Sequence, residues 1–94
     1  MSDAIEVVIG RRMKARRRLM GLTQQQLADG CGVTFQQIQK YECAACRISA
    51  QMLWKLSSRL EVDIGYFFDG VTRATLAAQE ARTVPARGSW DAAL

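Results

Sequence analysis

The sequence contains no histidine. That absence removes the commonest general base, the commonest metal ligand and the side chain that titrates near neutral pH, and so weighs against an enzyme. Proline occurs once, at Pro85, so nothing upstream of it forbids helix. β-Branched residues are too scattered to build alternating strands. No apolar run approaches the roughly 20 residues that a bilayer span needs. No charged segment followed by an apolar one opens the chain, so the expectation is a cytoplasmic protein without membrane association. The three cysteines, Cys31, Cys43 and Cys46, are an odd number in such a chain, which argues against a disulfide framework. With 94 residues there is room for one small domain, which buries only about 60% of its unfolded surface and leaves little for a large substrate cleft.

What is present is globular in composition, 49% apolar and 23% charged. Thirteen Lys and Arg against nine Asp and Glu leave a net charge of +4, and six of those cations crowd into Arg11, Arg12, Lys14, Arg16, Arg17 and Arg18. The clustering, more than the total, suggests a polyanionic partner. A solvated helix face is the plain alternative.

The periodicity is helical throughout. Ile5, Ile9, Met13 and Met20 recur at spacings of four and seven, predicting a helix over about residues 3 to 20 that stops at Gly21. Thr23-x-x-Gln26 and Thr34-x-x-Gln37 both match the capping box, so short helices begin near residues 24 and 35. Gly30 and Gly32 lie between them, where a tight turn calls for positive φ. Ser49 is placed to cap a helix at about 50 to 60 with Leu53, Leu56 and Leu60 inward, and Asp63 a fifth carrying Ile64, Phe67 and Phe68. Past Gly70 the composition shifts towards Ala, Thr and Arg, with one further helical stretch at 73 to 82 and a frayed end over 83 to 94 around Pro85 and Gly88. The reading is an all-α fold, five compact helices in residues 1–70 with an extension at 71–94.

Two helices that cross steeply need a small residue at the contact, a glycine in the turn and apolar anchors. Ala28, Gly32 and the set Leu27, Cys31, Val33, Ile38 and Tyr41 supply all three. The stretches IGRRMKARRRLMGLTQQQLADGCGVTFQQIQKYE and ISAQMLWKLSSRLEVDIGYFF, from about Ile9 to Gly70, resemble the lambda-repressor/Cro-like, or Xre-type, helix-turn-helix regulators. VTFQQIQKYE is similar to a subgroup common in alphaproteobacterial regulators. The resemblance implies a five-helix domain that binds double-stranded DNA, usually as a dimer on a palindromic operator.

With Ile38, Thr34 and Tyr41 turned inward, a helical wheel sets Gln36, Lys40 and Cys43 opposite, Gln39 close by, and Phe35 and Gln37 on the flanks. Glutamine bonds bidentately to adenine and an aromatic packs on a thymine methyl. Phe35, Gln36, Gln39 and Lys40 are therefore the candidate base readers. Candidate phosphate contacts are Thr23 and Gln24 at the start of the second helix, together with Thr34, Gln37 and Arg47. The resemblance assigns Arg17 a buried ion pair with Glu42; the remaining first-helix arginines stay divided between phosphate contact and solvation. Where the family commonly reads glutamate, a polar residue, glycine, any residue, asparagine and arginine, this chain reads Glu42, Cys43, Ala44, Ala45, Cys46 and Arg47. If Ala44 has to adopt the left-handed backbone that glycine suits, the cost is about 1 to 2 kcal/mol, and two phosphate donors of the family pattern are replaced by poor ones. Cys43 and Cys46 are read as a candidate redox pair, half a metal site or an inert apolar pair. A zinc site wants four ligands, which one chain without histidine does not supply, so neither a metal nor a cofactor is expected. The functional expectation is a non-enzymatic transcriptional regulator, a repressor acting as a homodimer. The alternative is an antitoxin-like or adaptor protein that captures a protein partner through residues 71–94.

Overall fold

The computed structural model describes residues 4–71. Four α-helices, α1 (Ala4–Leu19), α2 (Gln24–Cys31), α3 (Phe35–Glu42) and α4 (Ala50–Leu60), are followed by a 3-10 helix at Ile64–Phe68. Their starts fall where the hydroxyl caps lie. Thr23 accepts from the Gln26 amide at 3.0 Å while its own amide donates to the Gln26 side chain at 2.8 Å, a complete capping box. Ser49 accepts from the Met52 amide at 3.1 Å. At Thr34 only the hydroxyl half forms, to the Gln37 amide at 3.3 Å, because the Gln37 carboxamide is engaged elsewhere. Each such cap contributes about 1 kcal/mol.

Helix ends are set by left-handed residues. Gly21 (φ +73°) closes α1 and lets the Leu22 amide reach the Arg17 carbonyl at 3.0 Å; Gly32 (φ +72°) closes α2 with Val33 bonding Ala28 at 3.1 Å. Gly30, expected in that turn, lies inside α2. Its hydrogen faces the flexible end of Arg59, so conformation is not what it supplies there.

The expectation of five helices is corrected: the fifth element is a single stretch of 3-10 helix. Asp63 makes no side-chain cap bond. The bonds run instead from the Tyr66 amide to the Asp63 carbonyl at 2.9 Å and from Asp69 to Tyr66 at 3.3 Å, the short i to i+3 spacing. Five residues cannot repay an α-helical nucleus by propagation. The segment is held by packing, with Phe67 fully buried and Ile64 and Phe68 left partly exposed. The expected helix at 73–82 and the frayed end at 83–94 lie outside the described residues.

Met13, Leu27, Ile38, Leu56, Leu60 and Phe67 are fully buried, so every element sends at least one side chain into a shared core. Each such residue is worth about 1.5 to 3 kcal/mol. A close backbone approach of α1 to α3 is marked by Gly10, where an added β-carbon would stand 2.7 Å from the Tyr41 carbonyl oxygen and 2.8 Å from that of Glu42. Backbone is there, not a side chain that can step aside. Gly10→Ala is therefore expected to push α1 off the end of α3 and lower stability by about 1 to 3 kcal/mol, read as a reduced denaturant midpoint. An unchanged midpoint would show that the two helices separate at no cost.

Candidate nucleic-acid interface

Eight residues make α3 too short to stand alone, so its surroundings fix its orientation. Ile38 and Tyr41 are buried, which turns Phe35, Gln36, Gln39 and Lys40 outward together, with Cys43 at the C-cap also exposed. Thr34, placed inward by the helical wheel, is exposed: it precedes the helix as its N-cap, and extended backbone there takes it off the helical spiral. Ala28 of α2 is fully buried.

The end of α3 is tied to α1 and α2 by one polar cluster. Arg17 donates through Nε to Glu42 Oε2 at 2.6 Å and through a terminal nitrogen to Oε1 at 3.1 Å, while its other nitrogen reaches the Leu22 carbonyl at 2.8 Å. The side chains of Arg17 and Glu42 are 10% and 2% exposed. Gln24 donates its carboxamide to Glu42 Oε1 at 3.1 Å. No buried polar side-chain atom among the described residues is left without a partner.

The phosphate candidates divide. Gln24 points inward to Glu42, and Gln37, half-buried, donates to Cys46 Sγ at 3.2 Å. The amide of Thr23 is consumed by its capping box, which leaves the Gln24 and Gln25 amides of the first turn outside the cap. Thr34 is exposed. Arg47 is 81% exposed and pairs with Glu6 across 3.4 Å.

Glu42 leads directly into the turn after α3. Ala44 adopts φ +57° although it carries a side chain, and it is buried. The conformation lets the Ala45 amide return to the Lys40 carbonyl at 2.8 Å and the Ala44 amide to Tyr41 at 3.1 Å, closing the helix end. All three cysteines are free. Burial pushes the Cys31 thiol up, the charges of Arg59 and Lys55 opposing it only partly. Cys31 is thus a core residue held as thiol.

Sequence reasoning missed three contributors. Arg12 donates to the Tyr66 carbonyl at 3.0 Å, pairs with Asp69 at 3.1 Å and lies 3.9 Å over the Tyr66 ring. Arg16 donates to the Leu60 carbonyl at 2.9 Å. Both anchor the 3-10 helix and the end of α4 to α1. A wheel of α1 carried the signal, since Arg12 and Arg16 fall beside Ile5 and Ile9 rather than on the far face. Gly10 is the third, and a glycine inside a helical pattern was its signal.

A short capped helix, a left-handed glycine turn and a second helix with one face open define a helix-turn-helix domain, the class that presents its second helix to the major groove. A family model described as helix-turn-helix, HTH_3, matches residues 13–67. The chain belongs to this family. It is 43% identical over 68 residues to an uncharacterized HTH-type transcriptional regulator of Sinorhizobium fredii, covering 72% of this chain and 48% of that one. To one of Rhizobium meliloti it is 40% identical over 67 residues, covering 71% and 48%. The chain spans about half the length of these curated relatives. Among solved structures, the restriction-modification controller protein C.AhdI from Aeromonas hydrophila aligns with a TM-score of 0.65 at 25% identity, over 67% of this chain and 96% of that one. An HTH_3 family transcriptional regulator from Vibrio cholerae aligns with a TM-score of 0.67 at 25% identity, over 74% and 40%. Among the described residues, no helix is long and apolar enough to cross a membrane.

Removing one partner of a buried, hydrogen-bonded ion pair costs about 3 to 5 kcal/mol because the other charge is stranded. Arg17→Met and Glu42→Leu should each lose about that much in urea unfolding. The double variant should lose clearly less than their sum, by up to about 3 kcal/mol. Strict additivity would mean that the two side chains do not depend on each other.

Proposed function

We propose that the chain binds double-stranded DNA sequence-specifically and regulates transcription, without catalysis, α3 lying in the major groove. The observation that carries this reading is the outward set Phe35, Gln36, Gln39 and Lys40 on a helix whose other face is locked into the core. Glutamine reads adenine edges, the lysine reads guanine or phosphate, and the ring packs against thymine. Thr23, Thr34, Arg47 and the first-turn amides of α2 supply backbone contacts that set register; Gln24 and Gln37 do so only by giving up internal bonds. Residues 1–70 form the DNA-binding unit and 71–94 an extension. Two copies bind a palindromic operator with half-sites about 34 Å apart and repress by occlusion. The partly exposed Ile64 and Phe68 support self-association on the side of the 3-10 helix.

Selection of bound fragments from random duplexes tests the reading: a palindromic motif with half-sites about one turn apart is the expected product, and no enrichment over bulk DNA overturns it. Within that motif, Gln36→Ala should relax preference at one position per half-site at a cost of about 1 to 3 kcal/mol. Arg47→Ala should weaken binding to all sequences alike and reduce the salt slope by about one phosphate per subunit. Identical sequence profiles for the two variants would erase the division between reading and positioning residues.

A further inference from the structure

The cationic cluster of α1 is two groups, not one. Arg12, Arg16 and Arg17 are turned into the domain, each bonded to a carbonyl or carboxylate of a later element. Arg11, Lys14 and Arg18 are exposed, and none of them forms an ion pair or hydrogen bond through its side chain among the described residues. Their spacing of three and four residues makes one stripe along the helix. Measured round α1 from Gly10, which abuts the carbonyls closing α3, Lys14, Arg18 and Arg11 stand at about 40°, 80° and 100°. On the opposite flank, at about 200° and 240°, are Arg12 and Arg16, which face the 3-10 helix and the end of α4. The stripe thus runs beside the C-terminal end of α3 and away from the aromatic 3-10 helix. Glu6, also on the α3 side, is matched by Arg47 in the turn after α3.

Three of the described carboxylates are gathered around the end of α4 and the 3-10 helix. Glu61, Asp63 and Asp69 line one open cleft between the end of α4 and the 3-10 helix. Within α1 no carboxylate interrupts this stripe, where Ala4, Val7 and Ala15 are the other members. From Arg11 to Arg18 the helix rises about 10 Å, roughly three base-pair steps of duplex.

We propose that Arg11, Lys14 and Arg18 form a second anion surface that grips the sugar-phosphate backbone of DNA flanking the half-site read by α3. The proposal rests on the DNA-binding reading above and adds to it a longer footprint. A duplex seated on α3 and continuing past its C-terminal end runs along this stripe, and each guanidinium or ammonium then displaces a condensed counterion. The grip carries no sequence information, so its effect is uniform in sequence and dependent on flank length.

The test compares the wild-type chain with the triple variant Arg11→Gln, Lys14→Gln, Arg18→Gln, all exposed positions outside the core, with circular dichroism and the thermal midpoint checking that the fold is kept. Binding is titrated over a range of salt on a random-sequence duplex of about 30 base pairs, roughly three helical turns, and on duplexes carrying the selected motif with short or long flanks. The expected result is a salt slope shallower by about two to three units per bound subunit, at roughly 0.9 for each phosphate that the variant no longer neutralises. The triple variant should also forfeit the affinity that longer flanks confer on wild type, while its preference for motif over random DNA is unchanged. Equal slopes and equal flank dependence in the two proteins would overturn the proposal. If wild type itself bound none of these duplexes, the DNA-binding reading would fall instead. Wild-type binding that depends on Gln36 but is blind to the triple variant would remove only the flanking grip.

Discussion

The carboxylate of Glu42 ties the C-terminal end of α3 to α1 and α2, completing the orientation that burial of Ile38 and Tyr41 gives its outward face. One oxygen takes Arg17 Nε, the other takes both an Arg17 terminal nitrogen and the Gln24 side chain. The same arginine also holds the Leu22 carbonyl in the turn between α1 and α2. Three helices and one turn thereby meet at a pair of charges almost withdrawn from water. Such a pair adds little net stability over apolar residues of the same shape, because desolvation offsets much of the attraction. What it supplies is geometry: a bidentate guanidinium fixes both distance and orientation, where apolar packing alone tolerates rotation. A helix of only two turns needs that restraint if its outer side chains are to meet a groove in one register.

The restraint is matched by two places where the backbone is forced. Ala44 and Glu61, ending α3 and α4, both adopt φ of +57°. At about 1 to 2 kcal/mol each, the two conformations cost a sizeable share of the roughly 5 to 15 kcal/mol typical of a folded domain. At Ala44 the strain lies beside the readout helix, and the buried methyl offsets part of it. The turn after α3 runs Cys43, Ala44, Ala45 and Cys46 before the exposed Arg47.

Arginine serves opposed purposes within one helix. On one side it replaces packing, reaching across to carbonyls and a tyrosine ring to hold a 3-10 segment too short to hold itself. On the other it stays solvated. Residues one position apart, Arg11 and Arg12, thus belong to different parts of the molecule, one a surface charge and one a structural strut. Of the six clustered cations of α1, only Arg11, Lys14 and Arg18 remain to face a polyanion, so charge counted along the chain overstates that surface.

The sequence by itself determined the four α-helices, nearly to the residue, together with the buried stripes of α1 and α4 and the outward set on α3. Those features depend on interactions three or four residues apart, on caps at Thr23, Thr34 and Ser49, and on glycine where φ turns positive, all of which are local. Only the tertiary structure decided that the fifth element is a 3-10 helix, that Gln24 and Gln37 turn inward, and which three first-helix cations are engaged. It alone set the backbone of α3 against Gly10 and brought Gln37 to Cys46. Each of these is set by the partner a side chain meets after the helices cross, and crossing distance and angle arise from the packed core as a whole, which no local pattern encodes.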